Sequence, residues 1–432
     1  MNITRRQFLQ YCTASAAALG LSQTDLLKLD KALAATVCGC NDHGAPHVIW
    51  FQGQSCGGCT LSILNRMKLA DEAVPELGVV QDVVDLLVGD AVGALTTGVR
   101  PGWANFPDGY ITLDYQSEVM AGAGDIMADY IECLRDSGTP YIVALSGAIP
   151  LMDIVLLNSG MQPACVSGSF DTGDVLGLGR TGRIERSILE IMEWLATGPG
   201  CIAMLAFGTC ASYGGIPGAK GNVTGATGLY NALVNYRGLG GFTFDFGGSI
   251  GPVPLSSRIV NCPGCAPHPD WMIYPAAWAY LFLHGARPTP LPPLDTDPVV
   301  TPVYRGLTQV SANSVPKNRA RAIYTGDKGY EVFCEVCPKY SITKLCTDLG
   351  AGLGNGDGTH QKEYCTRPVG CNGFIASPDC PTRNWNNFDD GTHNQWCVGT
   401  LPMGSNYVCQ GCAEPDFPDG RSPFFSSDKD GS

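Results

Sequence analysis

Charge is the first thing this sequence has little of. Only 16% of its 432 residues are charged, with 27 lysines and arginines against 40 acids, giving a net charge of −13 and a pI near 4.8. No basic stripe is present, which argues against nucleic acid as a partner. Long apolar runs are missing as well. Beyond the N-terminal segment no stretch reaches the ~18 apolar residues that a membrane span needs. The nearest, AAWAYLFLHGA at 276–286, is too short and has the pattern of a buried helix. The sequence offers no Ser-His-Asp arrangement, no P-loop and no G-x-G-x-x-G following a strand. GNVTGATG at 221–228 is rich in glycine but is not a phosphate fingerprint. With 44% hydrophobic residues the chain is globular rather than disordered, and its length allows two or three domains.

Cysteine is what the chain has in excess. There are 20, and nine fall between Cys334 and Cys412. The N-terminus carries Arg5-Arg6 before a modest apolar run, YCTASAAALGLS, with Ala32-Leu33-Ala34 as an A-x-A cleavage site. That pattern reads as a twin-arginine export signal; an ordinary secretory signal is the alternative. Residues 1–35 are therefore set apart from the fold, and the mature chain is expected outside the cytoplasm, in the periplasm.

An exported chain rich in cysteine invites a disulfide scaffold. Three points favour iron–sulfur ligation over disulfides or structural zinc. Most of the chain has ordinary core composition and needs no staples. C-x-x-C pairs recur, at Cys56/Cys59, Cys334/Cys337 and Cys409/Cys412. That spacing turns two thiolates toward one metal centre, while as a disulfide it closes too small a loop to stabilise much. The twin-arginine route also exports proteins already folded around their cofactors.

From His47 onward strand and helix patterns alternate. HVIWFQG, TPYIVALSG, CIAMLAFG and SSRIVN read as strands. TLSILNRMKLA, RSILEIMEWLATG (amphipathic, ending at Gly198) and DWMIYPAAWAYLFLHG read as helices. Such alternation predicts an α/β fold with a doubly wound parallel sheet. In that architecture the loops after the strands gather at one edge, where ligands bind. Cys56, Cys59, Cys210 and Cys265 each follow a strand, so four thiolates from three loops are expected to converge on one cluster. Cys262, in NCPGCAP, is the ambiguous neighbour.

RPTPLPPLDTDPVVTP (287–302) is a proline-rich linker. It separates a domain at 45–286 from one at 303–432 that is rich in Gly, Asn, Asp and Cys and poor in aliphatic periodicity. The second needs metal to organise it. Spacing groups Cys334, Cys337, Cys365 and Cys371 as one four-ligand set, and Cys380, Cys397, Cys409 and Cys412 as another, without fixing the partition. Pro338 and Pro381 each follow a proposed ligand, as prolines often do beside clusters. The remaining cysteines, among them Cys133, Cys165 and Cys201, are expected to be mostly core or loop thiols. Three clusters in one chain mean electron transfer, with the catalyst and the acceptor supplied by partners.

The segments WFQGQSCGGCTLSILN, GTCASYGGIPGAKGNVTG, CPGCAPHPDWM and CQGCAEPDFPDGRSPFF closely resemble the small subunit of [NiFe] hydrogenases, the last being most like the periplasmic [NiFeSe] variety. The resemblance covers the signal and nearly all the rest. It implies a flavodoxin-like N-terminal domain and a mostly irregular and helical cluster domain. It implies a separate large subunit holding the nickel–iron site where H₂ is split or made, so no catalytic residue lies in this chain. It also implies an external acceptor, such as a multihaem cytochrome or a membrane-bound relay. The proximal cluster then maps onto Cys56, Cys59, Cys210 and Cys265, the distal onto Cys334, Cys337, Cys365 and Cys371, and the medial onto Cys380, Cys409 and Cys412.

Four departures from the family pattern bear on function. Cys334 stands where the family usually has a histidine. Trp396-Cys397 replaces a tryptophan–proline pair, so a fourth medial ligand and a [4Fe–4S] cluster are expected; the cluster is [3Fe–4S] if Cys397 does not bind. Ser146 takes the place of a frequent glutamate. Gly58 and Gly215 occupy positions where oxygen-tolerant members carry extra cysteines, so their special cluster is not expected. Two rivals remain: the cluster-bearing subunit of a quinone-reducing complex, whose first motif usually has adjacent cysteines, and a secreted disulfide-rich binding protein.

Overall fold

A computed structural model describes residues 46–64, 112–119, 124–248, 250–267, 272, 410–414 and 417–419, with the backbone of 387–388 and 394–395. The chain enters β1 (His47–Gln52), whose first five residues are buried. α1 (Gly58–Leu64) follows and takes in Cys59. It starts two residues earlier than the sequence pattern suggests, because Leu61 N–H already bonds to the Gly57 carbonyl. Then come β2 (Thr112–Gln116), α2 (Gly124–Ser137), β3 (Tyr141–Ser146) and α3 (Met152–Asn158). α4 (Ile188–Ala196), β4 (Cys201–Phe207), α5 (Gly208–Tyr213) and β5 (Ile259–Cys262) complete the frame. The helix expected over DWMIYPAAWAYLFLHG lies outside the described residues apart from Met272.

All five strands are parallel, in the spatial order β2-β1-β3-β4-β5. β3 and β4 are buried along their whole length, which is why they read as unbroken apolar runs rather than alternating ones. The SSRIVN segment divides: a 3-10 turn at Leu255–Ser257 precedes the strand, which runs on to Cys262. The register matters most for function. Gln52 pairs with Ser146, Ser146 with Phe207, and Phe207 with Cys262. Four strands therefore end level with one another, and the loops that leave them start from one line.

α4 corrects the amphipathic expectation. All nine of its residues are buried, both glutamates included. Their charges are met from within the protein. Glu190 closes a capping box with Ser187 and pairs with buried Arg186 at 3.2 Å and with Arg180 at 3.0 Å. Glu193 pairs with Arg237 at 2.6 Å. Spacing made this helix look half solvated, whereas ion pairs let it enter the core on every side. The Tyr141 hydroxyl donates to the Leu195 carbonyl at 2.7 Å and ties the sheet to this helix.

Candidate metal centre

The level strand ends determine where the cysteines go. Cys56 and Cys59 follow β1, Cys210 follows β4 and Cys265 follows β5, so all four sit at the carboxyl edge of the sheet. Cys56, Cys210 and Cys265 line one cavity of about 610 Å³, together with Ile216, Pro217 and Lys220. Cys59 lies beneath it, its thiol donating to the Phe207 carbonyl at 3.4 Å.

Electrostatics ties the four together. The Cys59 thiol is held well above its ordinary pKa, first by burial and then by Cys210, Cys56 and Cys265, with Glu118 adding to the effect. Burial also raises Cys210, with Cys56 contributing, while the Ile216 N–H pulls it down by donating to the sulfur. Cys59 and Cys210, raised by burial and by their thiol neighbours, are poor places for free thiolates. They suit a cationic occupant that takes thiolates as ligands. Among the described residues no three His, Cys, Asp or Glu side chains are gathered tightly enough for a single metal ion. A donor set of thiols only fits an iron–sulfur cluster.

Glycine keeps the surroundings clear. A Cβ at Gly208, where φ is +86°, would lie 2.5 Å from the Cys59 sulfur. One at Gly215 would lie 2.9 Å from the Cys210 sulfur, and one at Gly58 3.3 Å from that of Cys56. Gly58 and Gly215, both singled out in the sequence, thus sit directly against the sulfurs of Cys56 and Cys210. Gly57, with φ of +78°, has the Glu118 carboxylate where a side chain would go, 2.6 Å from an ideal Cβ. Glu118 is held there because the Gln116 side-chain carbonyl accepts from the Glu118 and Val119 N–H groups.

Hydrogen bonds fasten the three loops to one another. The Ser62 hydroxyl donates to the Pro267 carbonyl at 2.5 Å, joining α1 to the loop after Cys265. Thr209 N–H donates to the Gly264 carbonyl at 3.0 Å, and Gly264 N–H returns a bond to the Thr209 hydroxyl at 2.9 Å. Ser146, at the level end of β3, is fully buried and accepts from the Trp50 indole N–H at 3.1 Å. Its hydroxyl is thus engaged in packing.

Other cysteines resolve differently. Cys262 ends β5 fully buried, its thiol raised well above the ordinary range by that burial. It forms a C-x-x-C with Cys265 in sequence, but it does not line the cavity. Cys201 is a buried thiol of β4 and Cys165 a partly buried one. Cys133 on α2 departs from the expectation of a free thiol: it is disulfide-bonded. Of the eight tail cysteines proposed as ligands only Cys412 is described. Cys334, Cys337, Cys365, Cys371, Cys380, Cys397 and Cys409 lie outside the described residues. The Cys412 carbonyl accepts from the Thr209 hydroxyl, one residue from Cys210. Sequence reasoning passed over Thr209 and Glu118, which no spacing rule marks. Gly208 did carry a signal, as a glycine between a buried strand and a cysteine.

Comparison with known proteins agrees along the chain. A family model described as NADH ubiquinone oxidoreductase, 20 Kd subunit, matches residues 94–277. Another, for the C-terminal part of the NiFe/NiFeSe hydrogenase small subunit, matches residues 334–425. The periplasmic [NiFeSe] hydrogenase small subunit of Desulfomicrobium baculatum is 30% identical over 430 residues, covering 98% of this chain and 99% of that protein. The periplasmic [NiFe] hydrogenase small subunit 1 of Nitratidesulfovibrio vulgaris is 24% identical over 426 residues, covering 98% and 94%. A crystal structure of the reduced, active Ni-Fe-Se hydrogenase from Desulfomicrobium baculatum superposes with a TM-score of 0.54 at 27% identity, over 88% of this chain and 98% of that one.

Proposed function

This chain belongs to the family of [NiFe] and [NiFeSe] hydrogenase small subunits, one part of a heterodimeric oxidoreductase, and on that premise we propose that it is the electron wire of its complex. The observation that carries the reading is the convergence of Cys56, Cys59, Cys210 and Cys265, from three loops, at one edge of a parallel sheet. The strand order corresponds to a flavodoxin-like sheet. Those four cysteines hold a proximal [4Fe–4S] cluster. Cys334, Cys337, Cys365 and Cys371 hold a distal one, and Cys380, Cys397, Cys409 and Cys412 a medial one. The clusters, when bound, relay single electrons between a nickel–iron site on the large subunit and an outside acceptor, as H₂ is oxidised or formed.

The chain's own residues orient and shield. Gly208, Gly215 and Gly58 leave room around the sulfurs, the Ile216 N–H steadies Cys210, and Ser62 and Thr209 lock the loops. Leu61, Ile216 and Val223 are apolar and exposed near this edge, a surface suited to the large subunit. A thiolate from Cys334 in place of a histidine adds negative charge at the distal cluster and lowers its potential, the reverse of what histidine does in Rieske centres. The complex works in the periplasm, delivered folded by the twin-arginine route. No helix among the described residues is long and apolar enough to cross a membrane.

The match to the 20 Kd quinone oxidoreductase subunit over 94–277 favours a second reading, that complex's cluster-bearing subunit. Against it stand the spaced Cys56-Gly57-Gly58-Cys59 motif and the match of residues 334–425 to the hydrogenase C-terminal model. Metal and sulfide content of the natively expressed, anaerobically purified complex separates the two. The hydrogenase reading expects about one nickel with roughly thirteen irons, twelve of them in three cubanes. Iron without nickel would move the protein to the other complex. A colourless protein without iron would return the cysteines to disulfides.

A further inference from the structure

Thr209 joins three cysteine-bearing segments at once. Its backbone precedes Cys210. Its N–H donates to the Gly264 carbonyl at 3.0 Å and its hydroxyl accepts from the Gly264 N–H at 2.9 Å, fixing the residue before Cys265. The same hydroxyl donates to the Cys412 carbonyl, a residue 203 positions away in sequence. The side chain is 1% exposed, so water does not share these bonds. A second tie holds the same two segments together: Lys220 N–H donates to the Asp419 carboxylate. Phe417 and Glu414, between the two ties, are buried.

We propose that the Thr209 hydroxyl is the electronic and positional bridge between the proximal site and the cluster that Cys412 serves. This rests on the reading of Cys210 and Cys412 as ligands of two different clusters. Electronic coupling between redox centres weakens steeply across a van der Waals gap and much less across bonds and short hydrogen bonds. A continuous path runs from Cys210 through the Thr209 backbone and side chain, across one hydrogen bond, to the carbonyl of Cys412. As one electron passes, one cluster is oxidised and the other reduced. The hydroxyl proton stays on Thr209, and no bond forms or breaks. Fixing both ligand loops to one buried group also holds their separation constant.

The test uses the intact heterodimer carrying Thr209→Val, which keeps the shape and removes the hydroxyl, and Thr209→Ser, which keeps the hydroxyl. Three readouts are taken: iron and nickel content, H/D exchange on H₂, which needs the large subunit alone, and H₂-driven reduction of an acceptor, which needs the wire. Because the Thr209 N–H bond to the Gly264 carbonyl belongs to the backbone and survives both substitutions, the bridge predicts that both variants keep their iron and nickel, and with them the exchange on H₂ at the large subunit. It predicts acceptor reduction several-fold lower in Thr209→Val and restored in Thr209→Ser, with weakened magnetic coupling between the reduced proximal and medial clusters in the valine variant alone. Equal acceptor reduction and coupling in all three proteins would overturn it. Should the valine crowd the site and iron be lost, Thr209→Ala carries the same comparison. Iron loss in both would also overturn it, making Thr209 a folding residue. A wild-type complex without iron would instead defeat the underlying assignment of clusters.

Discussion

The four cysteines of the sheet region are spread from position 56 to position 265, whereas the eight proposed for the tail are packed between 334 and 412. In the first region the fold makes the site. Strands buried on both faces end in register, and the cysteines arrive at one edge because the loops start there. In the second, glycine, asparagine and aspartate prevail and apolar periodicity is weak, so the proposed clusters would have to organise the segment. On the proposed reading, one chain joins a sheet region with its own apolar core to a segment that clusters organise. The difference gives each region its own way of failing.

The largest effect should come from stripping iron anaerobically from the complex. Structural metals contribute on the order of 10 kcal/mol to small metal-organised domains. Residues 303–432 are expected to become open to protease while the sheet region, through α2, β3, α4 and β4, stays protected. Limited proteolysis read by mass spectrometry checks this; equal cleavage of both regions would erase the contrast.

Next is Gly208→Ala against Gly221→Ala. Both positions have positive φ, +86° and +89°, so each substitution carries backbone strain of about 1–2 kcal/mol. At Gly221 nothing lies within 4 Å of the new Cβ, while at Gly208 it meets the Cys59 sulfur at 2.5 Å. The first variant should lose about four irons per complex and all H₂-linked reduction of the acceptor. The second should keep both.

A smaller effect tests the tail. Cys397→Ala should remove about one iron per complex and leave a [3Fe–4S] signal in the oxidised protein. Unchanged iron would mean that Cys397 is no ligand.

The smallest effect lies within the sheet region and is independent of iron. Asp153 is fully buried, with one oxygen accepting from the Ala164 N–H at 2.6 Å. Burial pushes its carboxyl from 3.8 up to about 6; the Ala164 and Cys165 N–H groups pull down, and Glu190 pushes up. The folded state therefore holds the proton longer than the unfolded chain does. Stability falls as pH rises from about 4 to about 6, and the deficit persists above that. Asp153→Asn removes it. The variant should melt a few degrees higher than wild type at pH 7, match it near pH 4, and keep its full iron. A constant difference across that range would refute the account of Asp153.

Much of the sheet region was legible in sequence because buried parallel strands announce themselves. HVIWFQ, YIVALS and CIAMLAF are unbroken apolar runs, and each is a strand. That Cys56, Cys59, Cys210 and Cys265 gather at one edge was legible for a related reason, since each follows a strand of the sheet. α4 misled because a glutamate looks solvated until its arginine is found: Glu190 meets Arg186 from just before the helix, and Glu193 meets Arg237 from 44 residues away. The half-buried β2 carries no comparable run. Thr209 was invisible because its role depends on a segment 203 residues away, and hydrogen bonds of that kind leave no local pattern.

The most direct test of the central claim, that both regions form one wire of thiolate-ligated clusters, is an EPR-monitored redox titration of the purified complex. The account predicts three [4Fe–4S] clusters that gain their signals on reduction, with closely spaced low potentials and no [3Fe–4S] signal in the oxidised protein. A [3Fe–4S] signal in the oxidised protein, or a medial or distal potential well above the proximal one, would contradict it.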